Sequence, residues 1–578
     1  MGIFRFGVRS LLSLGSIVLL STGCGSSQNR STTHGAAPLS QGAKPLSFDA
    51  FVALERVGAI EHTVALPGET ASTPNPPVNP LANSFNNIVE KIADCDENCQ
   101  HLRQEFRYVV FVGKEIYCYW PEKQNEAQID FEALAHTLES SITTNTSYND
   151  YYLILRRWAA SFHDGHVNVM AQSDMTGLEI YTAPIRVEVL APATDHEKVI
   201  VAGIVAGQSA PGVFMGDQIL AMNGVPVGQA LTEAAKNSSG STERMRRFSA
   251  GRKLVDVMGL EAGSRPFVLT LKSVGSDAER SVELFRTIEI DAKPATAPGR
   301  DAGNNSDAGD PSGADLISAR ILPNGLGYLR LDGFSGSQDD FLISQTMNRL
   351  AQTRGLIIDL RKNGGGDLSG DRIIERLATQ AVTRYKRSER LSPYVMSQRP
   401  DIFNLMADAT GLFAEWHDLT VTPDSQHHYG KPVIAMTSPY CFSACDTFSS
   451  ALKTNGLAKI FGESTGGGTG TPLVFELPLS PLKFRYSVIR GQTSQGTALE
   501  GTGTEPDVYL EPTLTDRARQ KDVQLEEAVK LLGTLAGTAQ VATPDLSAVP
   551  SVAQPRTDTS PTREENQMLL RLQSHDEL

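Results

Sequence analysis

The sequence predicts an α/β protein, with an α/β core, a helical N-terminal subdomain before it and a β-rich domain inserted between the two. Three observations predict this fold class. Residues 316–512 alternate strand-like with helix-like segments, as α/β domains do. Residues 85–159 space their apolar side chains at mostly helical intervals, whereas residues 184–290 carry short β-branched runs that Gly and Pro interrupt.

Length and composition agree with several packed units. The chain has 578 residues, which corresponds to about three or four domains. Its hydrophobic fraction is 40%, so it carries enough apolar side chains for real cores. The net charge of −14 argues against a nucleic-acid partner, which a basic surface would bind. No apolar run reaches about 20 residues, so we expect no membrane-spanning helix.

Residues 1–24 have the pattern of an export signal. A positively charged start precedes a short apolar stretch, and Ser21-Thr22-Gly23-Cys24 follows it. This end resembles a bacterial lipoprotein box in which Cys24 becomes lipidated, although Ser21 stands where leucine is usual; the alternative is plain secretion. We therefore expect an exported protein of the bacterial cell envelope, lipid-anchored in the periplasm or outer membrane, or else secreted.

The cysteines fit an oxidising compartment, which permits disulfides. Cys95 and Cys99 are separated by one helical turn, as are Cys441 and Cys445, and Cys118 is left over. This spacing does not match zinc-binding patterns. The sequence therefore predicts structural thiols or local disulfides, with no metal site and no cofactor.

Composition divides the chain into segments. Small and polar residues follow the signal region, a linker without core material precedes the core, and Pro, Ala, Ser and Thr dominate the C-terminal tail. The predicted boundaries are 1–24 for the signal peptide, 25–84 for a tether or loop, 85–180 for the helical N-terminal subdomain with the histidine segment, 181–290 for the β-rich domain, 291–315 for the linker, 316–536 for the core and 537–578 for a disordered tail. Within the core, strands are predicted at 326–331, 355–360, 432–437 and 457–462, and helices at 339–352, 369–380, 443–455 and 515–535.

The first motif with chemical meaning is the segment 355–366, Gly-Leu-Ile-Ile-Asp-Leu-Arg-Lys-Asn-Gly-Gly-Gly. A buried strand is predicted to end at Asp359, and the glycines then let the backbone approach a ligand closely. Free amides at Gly364 or Gly365 would form an anion pocket, as an oxyanion hole requires. The alternative is a flexible glycine turn. The spacing matches neither a phosphate loop nor a dinucleotide-binding fingerprint.

The second motif is the segment 431–446, which predicts a buried strand, a tight turn and the start of a helix. Ser443 lies on that turn, beside the positive end of the helix, where amides such as that of Ala444 can stabilise an anion. Ser443 is therefore the candidate nucleophile. A serine at this place is more often a helix N-cap, and Cys445 is a second candidate nucleophile.

Two further segments supply a base and carboxylates. Residues 162–169 are predicted to join a helix end to a strand, and His166 lies in the turn, where a general base can be presented. His163 is the neighbouring histidine. A later loop rich in Gly carries three carboxylates, those of Glu500, Glu505 and Asp507.

In order along the chain, these motifs resemble those of the S41 peptidases, the family of the carboxy-terminal processing proteases and the tricorn core. The Asp-Leu-Arg-x-Asn-x-Gly-Gly strand end, the serine turn, Gly462-Glu463-x-Thr465 and a closing Gly-x-x-Pro-Asp all occur. Residues 201–226 resemble a PDZ domain, which this family carries between the histidine segment and the core. The resemblance covers roughly residues 100–535. It implies a ClpP/crotonase-like α/β catalytic core with a helical N-terminal subdomain and an inserted PDZ domain.

One departure from the family bears on the mechanism. The processing proteases pair the nucleophile with a lysine, and here Gly468 occupies the lysine position. The tricorn-like branch instead uses serine with histidine and a glutamate that orients the base, and His166 and Glu500 match those positions. That branch has a serine before the histidine, where this chain has Gly165. The link from Glu500 to His166 is therefore open, with Asp164 or a water as the alternative partner.

The resemblance implies a serine endopeptidase that hydrolyses extended or unfolded envelope polypeptides. Ser443 is then the nucleophile, His166 the general base and Glu500 the residue that orients it. The oxyanion-binding amides are those of Ala444 and of Gly364 or Gly365. The PDZ domain would capture an extended chain end, with the backbone at Gly177 and Leu178 as a candidate substrate-binding nest.

Two other readings use the same fold. In the first, the protein would be catalytically inactive and would bind ligands or peptides through its PDZ domain. In the second, it would be a lipid-anchored PDZ scaffold with a vestigial α/β half. The retained serine, histidine and glycine segment favour the enzyme. The expected partners are a polypeptide substrate and, through a lipid anchor alone, a membrane; the oligomeric state stays open.

Overall fold

The computed structural model describes residues 95–171, 180–258, 266–290, 316–335 and 337–537. The predicted signal peptide with Cys24, the tether, the linker, the tail beyond residue 537 and the pair Gly177 and Leu178 lie outside these residues. Among the described helices, none combines the length and apolarity that a membrane crossing requires.

Helices occur along the whole described chain. In chain order they are α1 (Glu97–Ile116), α2 (Trp120–Ala127), α3 (Phe131–Ser140), α4 (Tyr148–Ser161), α5 (Val227–Ala235), α6 (Glu243–Arg252), α7 (Ser337–Leu350), α8 (Asp371–Leu377), α9 (Pro393–Gln398), α10 (Ala444–Thr454), α11 (Leu514–Ala518) and α12 (Val523–Leu535), with a 3-10 turn at Pro400–Ile402.

Strands alternate with these helices. They are β1 (Asn168–Ala171), β2 (Ile180–Thr182), β3 (Ile185–Leu190), β4 (Lys198–Ile204), β5 (Gln218–Met222), β6 (Val225–Pro226), β7 (Val257–Met258), β8 (Pro266–Lys272), β9 (Glu279–Phe285), β10 (Ile288–Ile290), β11 (Ile317–Ile321), β12 (Gly327–Leu331), β13 (Leu356–Asp359), β14 (Val382–Glu389), β15 (His417–Val421), β16 (Val433–Thr437), β17 (Lys459–Gly462), β18 (Pro472–Glu476), β19 (Leu482–Ser487), β20 (Ile489–Gln492) and β21 (Val508–Tyr509).

The central sheet has the strand order β11-β12-β13-β16-β17-β21 and is parallel except for β11. Ile358 and Ala435 face the layer of α7, α8 and α10, whereas Ile357 and Ile434 face α12. A strand covered on both faces needs a continuous apolar run, which explains the sequences of β13 and β16. Because these two strands are parallel, their carboxyl ends lie at one edge and bring the glycine segment beside the serine turn.

The predicted core elements are confirmed with small shifts at their ends. The four predicted strands are β12, β13, β16 and β17, and the first three predicted helices are α7, α8 and α10. The single helix predicted over 515–535 is wrong, because the chain forms α11 and α12 separately. Gln520 has a φ of 56° between them, and the side chains of Thr513 and Asp522 each cap a new helix start.

The N-terminal helices and a smaller sheet share one core. The sheet has the order β1-β19-β18, and aromatic side chains such as Phe106, Trp158 and Phe162 pack between it and α1, α3 and α4. The Trp158 indole donates to the Tyr486 hydroxyl at 2.7 Å, which joins α4 to β19. This packing fixes the end of α4, from which the histidine turn leaves.

A separate apolar cluster fills the β-rich region. Its antiparallel sheet has the order β3-β4-β5-β8-β9, and α5 and α6 cover it with Leu231, Ala235 and Ala250. The identification of this region as a PDZ domain stays a prediction, as do the domain boundaries. Helix α6 also reaches the loops beside Ser443, since the Phe248 and Tyr440 ring centroids lie 6.5 Å apart.

Candidate active site

Ser443 lies on a strained turn between β16 and α10. Its φ is 61°, a left-handed backbone conformation that costs free energy for a residue with a Cβ. The disulfide between Cys441 and Cys445 encloses the turn and confirms one of the predicted local disulfides; the other joins Cys95 and Cys99. Because Cys445 has no free thiol, it is excluded as the alternative nucleophile.

A buried carboxylate under the turn holds Ser443 against the loop that follows β17. Asp446 Oδ2 accepts the amides of Ser443 at 3.1 Å and Gly468 at 3.0 Å, and Oδ1 accepts that of Gly467 at 3.1 Å. Burial raises the pKa of Asp446 to about 7, against these hydrogen bonds. Asp446 therefore fixes the nucleophile turn and the loop at the family's lysine position to each other.

The structure brings His166 to the predicted nucleophile. The His166 Nε2 and Ser443 Oγ atoms are 2.8 Å apart, although 277 residues separate them in sequence. The turn that presents the imidazole is closed by Asp164, whose Oδ1 accepts the His166 amide at 2.8 Å. Burial lowers the pKa of His166 to about 4, so the imidazole is neutral at physiological pH and can accept a proton.

The Nδ1 edge of the imidazole lies beside an amide and a carboxylate. Gly470 donates its amide to His166 Nδ1 at 3.3 Å, and Asp164 Oδ1 lies 3.8 Å from the same nitrogen. A neutral imidazole that accepts at Nδ1 carries its proton on Nε2. The ring therefore donates to Ser443 Oγ in this arrangement. Asp164 is itself fixed by the Ser487 hydroxyl at 2.7 Å.

Glu500 reaches this centre by an indirect path. Its Oε2 accepts the Thr469 amide at 2.9 Å, next to the Gly470 amide that contacts His166. One ligand atom each of Asp164, His166 and Glu500 lies within 4.8 Å of the others. Burial and the Asp164 charge raise the pKa of Glu500 to about 8. Of the carboxylates on the loop, Glu500 is the one brought to the histidine.

The other predicted carboxylates and the neighbouring histidine serve the fold. Glu505 accepts the Ser464 hydroxyl at 2.6 Å, and Asp507 accepts the Ile460 amide at 2.8 Å. His163 presents its carbonyl to a lysine at 2.9 Å, and burial lowers the pKa of its ring to about 4.

Two departures from the family pattern have one physical cause, the ring of Phe442. A Cβ at Gly165 would lie 2.5 Å from the Phe442 Cζ atom, and a Cβ at Gly468 would overlap the same ring. The ring stacks against His166 with centroids 4.5 Å apart. A side chain at either position would have to displace the Phe442 ring.

A serine from another part of the chain stands beside Gly165. Ser241 Oγ accepts the Gly165 amide at 3.0 Å and is also hydrogen-bonded to the Glu500 side chain. A hydroxyl from the segment before α6 therefore lies beside Gly165, the residue before His166. No local sequence signal marks Ser241, since it lies 76 residues from its partner.

The amides proposed for the oxyanion lie beside the nucleophile. Gly365 has a φ of 101°, and a Cβ there would lie 2.8 Å from Ser443 Cβ and 3.1 Å from the Ala444 nitrogen. Close approach to the nucleophile thus requires glycine. The Gly365 amide donates to Asn363 Oδ1 at 2.9 Å, which leaves Gly364 as the better second donor.

The Asp-Leu-Arg part of the glycine motif has a structural role. Arg361 pairs with Asp359 through Nε at 2.9 Å and Nη2 at 2.7 Å, and with Asp522 at 2.7 and 2.8 Å. The Tyr328 hydroxyl donates to Asp359 at 2.8 Å. Arg361 lowers the pKa of Asp359 despite its burial. This network ties the end of β13 to the start of α12.

Asp164, His166 and Glu500 are a geometric candidate for a metal site, but their surroundings do not fit a cation. The Gly470 N–H already points at His166 Nδ1. The ammonium of Lys123 lies 3.3 Å from Glu500 Oε1, where it would repel a divalent ion. The Gly470 N–H and the Lys123 ammonium are donors that interact directly with His166 and Glu500, in the space that a cation would need.

Comparison with known proteins agrees with this arrangement. Residues 325–510 match the model of peptidase family S41, and this segment is of the S41 type. The chloroplastic C-terminal processing peptidase of Tetradesmus obliquus is 25% identical over 225 residues, which are 38% of this chain and 42% of that relative. The tricorn protease of Thermoplasma acidophilum is 30% identical over 186 residues, which are 31% of this chain and 14% of that relative. The match thus spans less than half of either relative.

A solved structure shares the fold over most of the chain. Mature CPAF, solved in complex with lactacystin, superposes with a TM-score of 0.60 at 17% identity and covers 76% of this chain and 99% of its own. This likeness shows that most of this protein shares the α/β fold of that structure, with its several sheets.

Proposed function

We propose that the protein is a serine endopeptidase that cuts extended or unfolded polypeptides of the cell envelope. The observation that carries the proposal is the 2.8 Å contact between His166 Nε2 and Ser443 Oγ in a turn whose strain exposes the nucleophile. The C-terminal processing peptidase and tricorn protease among the relatives support the same reaction class.

In the proposed reaction, Ser443 Oγ attacks the scissile carbonyl and His166 takes its proton. The negative oxygen is held by the amides of Ala444 and Gly364, at the positive end of α10. The protonated imidazole then donates to the leaving amine, and a water hydrolyses the acyl-enzyme by the same route.

General base catalysis requires the tautomer with the proton on Nδ1. Asp164 is the carboxylate that faces this nitrogen, at 3.8 Å, and catalytic hydrogen bonds shorten when substrate binds. We assign to Asp164 the acceptance of a hydrogen bond from the Nδ1–H group, which leaves the proton on the ring. Glu500 holds the loop beside the ring through the Thr469 amide.

The cellular setting belongs to the same proposal. Two disulfides among the described residues support an oxidising compartment, as export would provide. Lipidation at Cys24 and capture of a chain end by a PDZ domain, with Gly177 and Leu178 as its nest, complete the proposed function.

The test is covalent labelling of residues 25–578 by a fluorophosphonate probe. We expect labelling of the wild type and none of Ser443→Ala or His166→Ala. The matched controls are Ser397→Ala and His427→Ala, which lie away from the site and should label like the wild type.

The resting tautomer of His166 favours a second candidate, a catalytically inactive protein that binds peptides on the same fold. An imidazole that donates to Ser443 Oγ does not activate it. If the wild type stays unlabelled while an S41 protease labels beside it, the binder is the better reading. Peptide binding by residues 25–578 would then be the property to measure.

A further inference from the structure

Lys123 is a buried lysine that the proposed mechanism leaves unused. It lies on α2, and only 2% of its side chain is exposed. Its Nζ atom donates to the His163 carbonyl at 2.9 Å and lies 3.3 Å from Glu500 Oε1. Glu126, an exposed residue on the next turn of α2, is 3.6 Å away. A lysine is rarely buried to this degree without a specific partner.

These contacts join the two segments that enclose the imidazole. The His163 carbonyl belongs to the turn that presents His166. Glu500 belongs to the loop that holds Thr469 and Gly470 against His166 Nδ1. One ammonium group therefore bridges both sides of the ring. Since it contacts neither Ser443 nor His166 itself, Lys123 cannot be the base of a serine–lysine dyad.

The positive charge of Lys123 also compensates the negative charge of the Glu500 carboxylate. Glu500 Oε1 is buried and has no hydrogen-bond partner in the described part of the chain, so the ammonium is its compensating contact. A buried carboxylate without a compensating charge is costly and takes up a proton.

We propose that Lys123 is a positioning residue for the general base, which favours the carboxylate form of Glu500 and fixes the histidine turn to the Glu500 loop. The inference rests on the proposed function. Lys123 therefore does not replace, as a base, the lysine that is missing at position 468. It instead supplies the cation of the ion pair with Glu500.

The pH dependence follows from all groups that face this ion pair. Burial and Asp164 raise the pKa of Glu500 to about 8, while the Lys123 ammonium lowers it. The other groups that face Lys123, Glu500 or the histidine turn are Glu126 on α2, His163 with a pKa of about 4, Arg246 beside His163, Arg485 near His166, and Tyr117, Cys118 and Tyr119, whose pKa values burial raises. Among these groups, Glu500 titrates near neutral pH. Its carboxylate is the active form, so labelling should rise as pH passes through its pKa.

The experiment measures the second-order rate of fluorophosphonate labelling from pH 5 to 9.5. Lys123→Met should lower the rate at pH 7 by about 10- to 100-fold, in the range that a small misplacement of catalytic groups causes. It should also move the acidic limb to higher pH, because the Glu500 pKa rises further without the ammonium. Lys123→Arg should recover most of the rate and the limb.

Lys114→Met is the matched control, because Lys114 pairs with Glu132 at 2.5 Å on the exposed surface of α1 and α3. It should keep the wild-type rate and pH profile. Asp446, whose pKa is about 7, contributes equally to the profile of every variant and does not mask the shift.

The outcomes separate this inference from the function it rests on. If the wild type is not labelled, the proposed function fails. If the wild type is labelled and Lys123→Met keeps both rate and profile, the Lys123 inference alone is overturned. If Lys123→Met does not fold, the double variant Lys123→Met with Glu500→Gln is compared with Glu500→Gln. Equal rates support the pair, and a further loss beyond Glu500→Gln contradicts it.

Discussion

Two buried charge networks in this protein are built from the same kinds of groups and differ in how completely they are bonded. In the first, Arg361 makes paired hydrogen bonds to Asp359 and Asp522, and Tyr328 donates to Asp359. In the second, Glu500 Oε1 has only the Lys123 ammonium at 3.3 Å. The pKa of Asp359 is lowered, whereas that of Glu500 is raised to about 8.

This difference distinguishes the Arg361 network, which has a structural role, from the Lys123–Glu500 pair, which lies at the candidate active site. Fully bonded charges fix one arrangement and lock β13 to α12. Burial and the nearby Asp164 charge bring the pKa of Glu500 near neutrality, which is common where protons move. The glycine motif shows why sequence alone is a poor guide here, since its charged residues Asp359 and Arg361 belong to the structural network and its glycines to the site.

The largest expected effect is at the carboxylate that faces the histidine. Asp164→Asn should lower the labelling rate by about a thousandfold or more, because a neutral amide lacks the charge that stabilises the imidazolium, and its NH2 group can donate to Nδ1 and hold the wrong tautomer. The rate of probe labelling and a thermal unfolding curve would be measured together, with exposed Asp401→Asn as the control. If Asp164→Asn folds and keeps the wild-type rate, Asp164 is not the carboxylate that stabilises the imidazolium, and Glu500 becomes the candidate for that role.

The structural network should show its effect on stability instead. Arg361→Met should lower the free energy of unfolding by about 3–5 kcal/mol, because it leaves Asp359 buried without its partner. Urea denaturation would measure this. Arg399→Met removes a more exposed pair with Asp401 and should cost less than about 1 kcal/mol. Equal losses of unfolding free energy in the two variants would show that the Arg361 network stabilises the protein no more than an exposed ion pair does.

The Phe442 ring makes a smaller and more specific prediction. Gly165→Ser introduces the residue that the tricorn-like pattern has, yet its Cβ would lie 2.5 Å from Phe442 Cζ. We expect a loss of about 1–3 kcal/mol in the free energy of unfolding, as for other overpacked sites. Adding Phe442→Leu to the variant should recover part of it. No recovery in the double variant would refute the steric explanation.

The last expected effect is on the slope of stability with pH, which amounts to about 1 kcal/mol for each pH unit. The pKa of Asp446 is raised to about 7, so its contribution is present below the unfolded pKa and is lost as pH rises through about 7. Asp359 has the opposite sign, because its lowered pKa stabilises the protein at higher pH. Asp446→Asn should therefore reduce the fall in unfolding free energy between pH 4 and 7 by about 1 kcal/mol per pH unit. An unchanged slope in urea titrations would contradict this assignment.

Much of the fold was predictable because it rests on local periodicity. The apolar runs of β13 and β16 mark strands covered on both faces, and Ser443 and His166 lie at the turns where the sequence predicts them. The single helix over 515–535 failed, because one backbone reversal at Gln520 leaves the apolar spacing on either side intact.

The sequence by itself determined the elements of the core, the strand-to-helix turn with Ser443 and the resemblance to the S41 peptidases, and it left thiols or local disulfides open. Only the tertiary structure decided which side chains surround the base. Lys123, Ser241 and Phe442 come from distant parts of the chain, and packing alone brings them to Glu500, Gly165 and His166. Local patterns encode which residues form a helix or a strand, whereas the partners of a buried charge depend on how those elements pack together.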